Sequence, residues 1–239
     1  MTKLLRFALV LAVTSLPWAT SSLGDTPAEK KTAEQKPARI VAGQPHPAVV
    51  RVRASENGGA SFGSGTLIGR TEKHGVVLTN WHVVRDATGQ ISVRFPDGFR
   101  SAATVLETDE TWDLAALMIW RPDVEPVPIV DAKPQSGDRL TIAGYGSGTY
   151  REATGKVTQF VSPGQNHPFE MVEVDVEARS GDSGGPILNE SGQMAGVLFG
   201  SAEGHTNGSH SPRVLWFIKR ALAKTPKLAA SVVVRSKED

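Results

Sequence analysis

A serine hydroxyl becomes a useful nucleophile only when a neighbouring base takes its proton. Three separated segments of this sequence offer the parts of such a relay. Gly181-Asp182-Ser183-Gly184-Gly185-Pro186 sets Ser183 among glycines. Glycines let the backbone turn sharply and hold the hydroxyl in the open. They also leave N–H groups facing a cleft, and those of Gly181 and Ser183 would hold the oxyanion of a tetrahedral intermediate. The competing reading is a plain glycine-rich turn between Val176 and Ile187. Val76 to Val84 supplies a base: an apolar run ends in Thr79-Asn80-Trp81, and His82 follows. Imidazole is near-neutral at pH 7 and can shuttle a proton. The competing reading of a lone histidine is a buried, hydrogen-bonded structural one. Asp113 stands directly before the apolar run Leu114-Ala115-Ala116-Leu117. A carboxylate at that edge can be desolvated, aimed inward, and used to fix the imidazole tautomer. Asp109 and Glu110 are close rivals, further from the apolar run.

These residues need a scaffold of turns and short strands. The chain has 24 Gly and 15 Pro among 239 residues. Runs rich in Val, Ile, Leu and Thr, bounded by turn residues, predict strands over Pro47–Arg53, Ser61–Gly69, Gly75–Asn80, Gln90–Phe95 and Leu114–Trp120. Asp138–Ala143, Arg151–Val161, Phe169–Val176 and Gln193–Phe199 follow in the same pattern. One helix is expected over Val214–Ala223, where Val214, Leu215, Phe217, Ile218 and Leu222 share a side. Pro226 should end it. An all-β chain closed by one helix implies two packed β-barrels.

Charge and composition exclude several classes. Lys and Arg number 26 against 25 Asp and Glu, so the clustered positive charge of a nucleic-acid protein is not expected. With no Cys, a cysteine nucleophile, an iron–sulfur cluster and a thiolate zinc site are ruled out. The histidines lack paired ligand spacing, so neither metal nor cofactor is expected. Residues 1–24 read as a signal peptide, with Lys3 and Arg6 before an apolar run too short to span a bilayer. That implies a secreted or periplasmic protein without stable membrane insertion. Residues 25–38 are polar and mixed in charge, as in a disordered linker or propeptide. A single domain is expected over 39–225, and a flexible tail over 226–239.

The order His82, Asp113, Ser183, with Gly63-Ser64-Gly65-Thr66-Leu67-Ile68, Leu78-Thr79-Asn80-Trp81-His82, Asp113-Leu114-Ala115 and the glycine-rich hexapeptide, resembles the chymotrypsin/trypsin-like serine peptidases. The Thr-Asn-Trp-His-Val-Val wording is closest to bacterial Deg/HtrA-type protease domains. The resemblance covers about Arg39 to Ala223 and implies two six-stranded antiparallel barrels with the reacting residues between them. It implies a serine endopeptidase acting on polypeptides through a His-Asp-Ser triad and an acyl-enzyme. The alternatives are a catalytically silent binding protein on the same scaffold, or an esterase using the same triad. Two departures matter: Asp182 stands where the Deg/HtrA group usually has Asn, and no peptide-binding domain follows.

Two further expectations come from the resemblance. Arg39-Ile40-Val41-Ala42-Gly43 is similar to a zymogen activation site, whose cleavage would free the Ile40 amine to bury against Asp182. The alternative is that Asp182 pairs with an internal arginine, Arg139 or Arg179. Ala195 to Gly200 resembles the strand that binds substrate backbone, with Leu198, Phe199 and Gly200 along the primary specificity pocket. Glu177 stands where the family places the base of that pocket, which would favour a basic side chain. Its alternation with Glu173 and Asp175 instead suits a strand face turned to water.

Overall fold

The structure, a computed structural model, describes residues 44–236. The first half closes a barrel. β1 (Val49–Glu56), β2 (Gly59–Arg70) and β3 (His74–Thr79) lead into the one-turn helix α1 (Trp81–Val84). β4 (Ile91–Arg94), β5 (Arg100–Asp109) and β6 (Leu114–Trp120) complete it. The strands close in the order β1-β2-β3-β6-β5-β4, antiparallel throughout. Alternation explains the closure: Val50, Val52 and Ala54 of β1 point inward, with Val93 of β4 and Leu117 and Ile119 of β6, while Arg51 and Arg53 point out.

A short strand, β7 (Ile129–Val130), precedes the second half. β8 (Arg139–Gly144), β9 (Arg151–Val161), β10 (Met171–Val174), β11 (Pro186–Leu188), β12 (Met194–Ala202) and β13 (His205–His210) follow. They pair antiparallel in the order β11-β8-β9-β10-β13-β12, and β11 pairs again with β12 to close the ring. The architecture is therefore all-β, two closed six-stranded antiparallel barrels, as expected.

β5, β7, β11 and β13 were not foreseen, nor was a last short strand near the C-terminus, Val234–Arg235. β5 reads Arg-Ser-Ala-Ala-Thr-Val-Leu-Glu-Thr-Asp and keeps much of its length exposed, so no apolar face marks it. β13 reads His-Thr-Asn-Gly-Ser-His and is a strand because β10 and β12 pair on both its sides. Expected boundaries shift too: the run over Phe169–Val176 forms a strand only over Met171–Val174.

The helix α2 covers Ser211–Ala221, starting earlier than Val214 because the His210 side chain caps it and Pro212 lies in its first turn. Val214, Phe217 and Ile218 are its buried face. The stretch expected to be a flexible tail holds regular structure as far as Arg235. α3 (Pro226–Ala229) buries Leu228, and β14 (Val234–Arg235) pairs parallel with β7. Pro226 thus opens α3 as well as following α2.

Candidate active site

The first barrel assembles an imidazole–carboxylate pair from within itself. β3 delivers Asn80 in extended conformation, and α1 turns His82 back over the end of the barrel. His82 is then engaged twice by one carboxylate. Its backbone N–H donates to Asp113 Oδ1 at 2.8 Å, and its Nδ1 lies 2.6 Å from Asp113 Oδ2. A carboxylate only accepts, so Nδ1 carries a proton, and in the neutral ring the lone pair is then on Nε2. Asp113 is buried and sits at φ 50°, a left-handed conformation that aspartate tolerates better than most residues. Asn80 Nδ2 donates to Asp113 O at 2.7 Å and holds that turn. From the second barrel, Ser209 Oγ donates to Trp112 O at 2.9 Å. Of the rival acids, Asp109 pairs with Arg220 and caps Trp112 N. Asp113 alone meets the imidazole.

Ser183 lies in the loop between β10 and β11. Gly181 and Gly184 take φ of 92° and 85°, where any side chain would be strained. Both also sit too close to backbone for a Cβ: Gly181 against Gly146 O, Gly184 against Ser64 O and the Thr79 hydroxyl. Most of the loop's N–H groups are committed. That of Asp182 donates to Arg179 O, that of Gly184 to Leu198 O and that of Gly185 to Asp182 O. Those of Gly181 and Ser183, like those of Glu177, Ala178 and Ser180 earlier in the loop, have no acceptor among the described residues.

The two halves meet at this loop. Ser64 N–H donates to Ser183 O at 2.8 Å. Ser64 Oγ donates to Gly181 O and accepts from Tyr145 N–H, both at 2.9 Å. A side chain at Gly63 would strike both Val83, next to His82, and Ser183 O. The structure therefore brings the Ser183 backbone beside α1. It records no hydrogen bond between Ser183 Oγ and His82, a contact often loose in a free enzyme.

Asp182 is 2% exposed and would be costly unpaired. Arg179 supplies the partner: its Nη2 lies 2.9 Å from Asp182 Oδ1, and its Nε and backbone N–H both donate to Oδ2. The same guanidinium donates to Gly144 O and Thr149 O, tying the Ser183 loop to the loop after β8. Arg151 adds a longer contact at 3.7 Å. Of the two arginines the sequence left open, Arg139 faces Glu190 instead. Arg39 and Ile40, the other half of the expected switch, lie outside the described residues.

β12 carries the remaining expected site residues. Its pairing with β13 slips between Leu198 and Gly200, so Phe199 bulges out and its ring meets His82 edge-on at 6.1 Å. Leu198 is buried and its N–H and O are both used by the Ser183 loop. Gly200 lies opposite Asn207, whose Oδ1 is buried without a partner among the described residues. Asn207 was missed because nothing in the sequence marks β13 as a strand. Glu177 lies beyond the end of β10, exposed, its backbone O taken by Arg151. It is not enclosed as a pocket base would be, so the water-facing alternative describes it, although as a loop residue.

Residues 63–197 match the trypsin-like peptidase domain family, and the chain belongs to that family. It is 31% identical over 185 residues to a probable periplasmic serine endoprotease DegP-like of Marinomonas sp. (strain MWYL1), covering 75% of this chain and 36% of that protein. It is 32% identical over 141 residues to the periplasmic pH-dependent serine endoprotease DegQ of Escherichia coli (strain K12), covering 57% and 30%. The chain spans about a third of the length of the curated relatives it matches. Among solved structures, the serine endoprotease from Yersinia pestis superposes with a TM-score of 0.64 at 25% identity, over 74% of this chain and 63% of that one.

Proposed function

We propose that this chain is a serine endopeptidase working through His82, Asp113 and Ser183. His82 Nε2 takes the Ser183 proton as Oγ bonds to the scissile carbonyl carbon, and the carbonyl oxygen becomes an oxyanion. The N–H groups of Gly181 and Ser183 receive that charge. The intermediate collapses, the C–N bond breaks, and the amine leaves with the proton from His82. Water then attacks the acyl-enzyme through the same base and releases the acid. Asp113 holds the imidazole and stabilises its charged form. The observation that carries this reading is the pair of uncommitted N–H groups at Gly181 and Ser183, in a loop whose intervening Asp182 is fixed.

The substrate class is an extended polypeptide. β12 pairs with β11 through Val197, the Ser183 loop takes the N–H and O of Leu198, and from Phe199 onward β13 alone flanks it among the described strands. An open strand edge takes a peptide by main-chain hydrogen bonds. Phe199 and Gly200 lie on that edge, beside His82. This favours a peptidase over an esterase, which has no use for a strand edge. Because the Glu177 carboxylate faces water, the reading includes no preference for basic residues, and Glu177→Ala should leave the cleavage profile unchanged. Arg179 does for Asp182 what a newly released Ile40 amine would do in a zymogen, so activity should not require cleavage after Arg39. The matching of periplasmic relatives and the leader-like first residues support export to the periplasm.

Digestion of unfolded casein by the full chain tests the function. Activity lost in Ser183→Ala and retained in Arg39→Gln is expected. Hydrolysis of a small ester with casein left intact would favour the esterase.

A further inference from the structure

The outer face of the first barrel carries a row of like charges. β1 pairs with β4 so that Arg51 stands opposite Arg94, and β4 pairs with β5 so that Arg94 stands opposite Arg100. Three arginines thus lie side by side on adjacent strands about 4.8 Å apart. Arg53, two residues along β1, shares the face. These four and Phe62 line a groove of about 220 Å³.

Like charges directly opposite one another destabilise a sheet, and nothing among the described residues neutralises them. Every other described arginine except Arg235 meets a carboxylate. Arg51, Arg53, Arg94 and Arg100 meet none. The nearby acids are turned elsewhere, Glu56 to the Ser61 hydroxyl and Asp97 to Phe99 N–H. The guanidinium of Arg53 leans over the Phe62 ring, 6.0 Å from its centre. Phe62 is 54% exposed and makes one wall apolar.

We propose that this groove is an anion site for a ligand bearing two or more phosphate groups. A guanidinium fork matches phosphate oxygens bidentately, and Arg serves this role better than Lys. Adjacent forks one strand apart can each take one phosphate of such a ligand. Binding relieves the repulsion in the row, so the ligand should stabilise the fold. The site lies on strand faces of the first barrel and uses no residue of the peptidase relay.

The test compares the full chain with Arg94→Gln/Arg100→Gln, whose unchanged circular dichroism shows that it folds. One arm titrates sodium pyrophosphate by calorimetry and thermal melting at low and at physiological ionic strength. The other sediments the protein with phosphatidylcholine vesicles, with and without cardiolipin, a lipid with two phosphate groups. The free-phosphate source predicts pyrophosphate binding that weakens with salt, a rise in Tm, and about a tenfold or greater loss of affinity in the variant. A lipid source predicts sedimentation only with cardiolipin-containing vesicles, lost in the variant. Without ligand, the variant should melt no lower than the parent, because a repulsion has been removed. Binding in neither arm, or binding that the variant keeps undiminished, overturns the proposal.

Discussion

The two barrels hold their parts of the site by different means. The first is self-sufficient: Asn80, His82 and Asp113 are joined by three hydrogen bonds within one barrel, anchored at the ends of β3 and β6. The second presents Ser183 on a loop that cannot hold its shape alone. That loop needs glycines at left-handed φ, a buried ion pair, and Ser64 from the opposite barrel. A proton relay tolerates little error in position. In the proposed relay, the imidazole and its carboxylate come from strand ends, and Ser183 is located by contacts that reach across to the first barrel.

This contrast can be broken from the first barrel with one atom change. Asp113→Asn keeps the size of the side chain but allows the wrong imidazole tautomer, and kcat should fall about 10⁴-fold with KM nearly unchanged. Stability should change less than activity. A drop in KM-linked binding of similar size would mean that Asp113 acts on substrate rather than through His82.

On the second barrel, the corresponding break is Arg179→Gln. It strands the Asp182 carboxylate in a buried position, and removing one partner of such a pair costs about 3 kcal/mol. Urea unfolding should show that loss, and kcat should fall as the loop loses its fixed N–H groups. Asp182→Asn in the same background removes the stranded charge and should recover part of the stability. An unchanged midpoint in Arg179→Gln would show that Arg151 suffices.

Acid sharpens the comparison from another side. His46, at the start of the first barrel, is buried, and desolvation holds its imidazole down to about 4. Its Nδ1 accepts the Ala48 N–H at 3.2 Å, which requires the neutral ring. Burial lowers His210 as well. The unfolded chain therefore binds protons that the folded chain refuses, and stability must fall as pH drops from about 6.5 towards 4. For His46 the loss is about 3 kcal/mol. Urea unfolding across that range should show it, and His46→Gln should flatten the profile. The smallest expected effect is Ser64→Ala, which removes two hydrogen bonds at the junction for about 1 to 2 kcal/mol.

Much of the first barrel was legible, and so were the three residues of the proposed relay: His82 and Asp113 sit where an apolar run meets a polar turn, and Ser183 sits among glycines. Asp113 could be preferred over Asp109 and Glu110 by its nearness to Leu114, and the carboxylate found beside His82 is that of Asp113. β13 was illegible, since His205 to His210 lacks apolar alternation and is made a strand by its neighbours. The partner of Asp182 stayed open between Arg139 and Arg179, because a loop's fold decides which guanidinium reaches it. The arginine row could not be seen either: Arg51, Arg94 and Arg100 become neighbours only through strand register.

Covalent labelling tests the central claim most directly. A fluorophosphonate probe reacts with a serine whose proton has a base to go to, so mass spectrometry of the full chain should find one adduct, on Ser183. The adduct should be absent in Ser183→Ala and strongly slowed in His82→Ala. A parent protein left unlabelled, or labelled equally fast without His82, would contradict a relay between the two barrels.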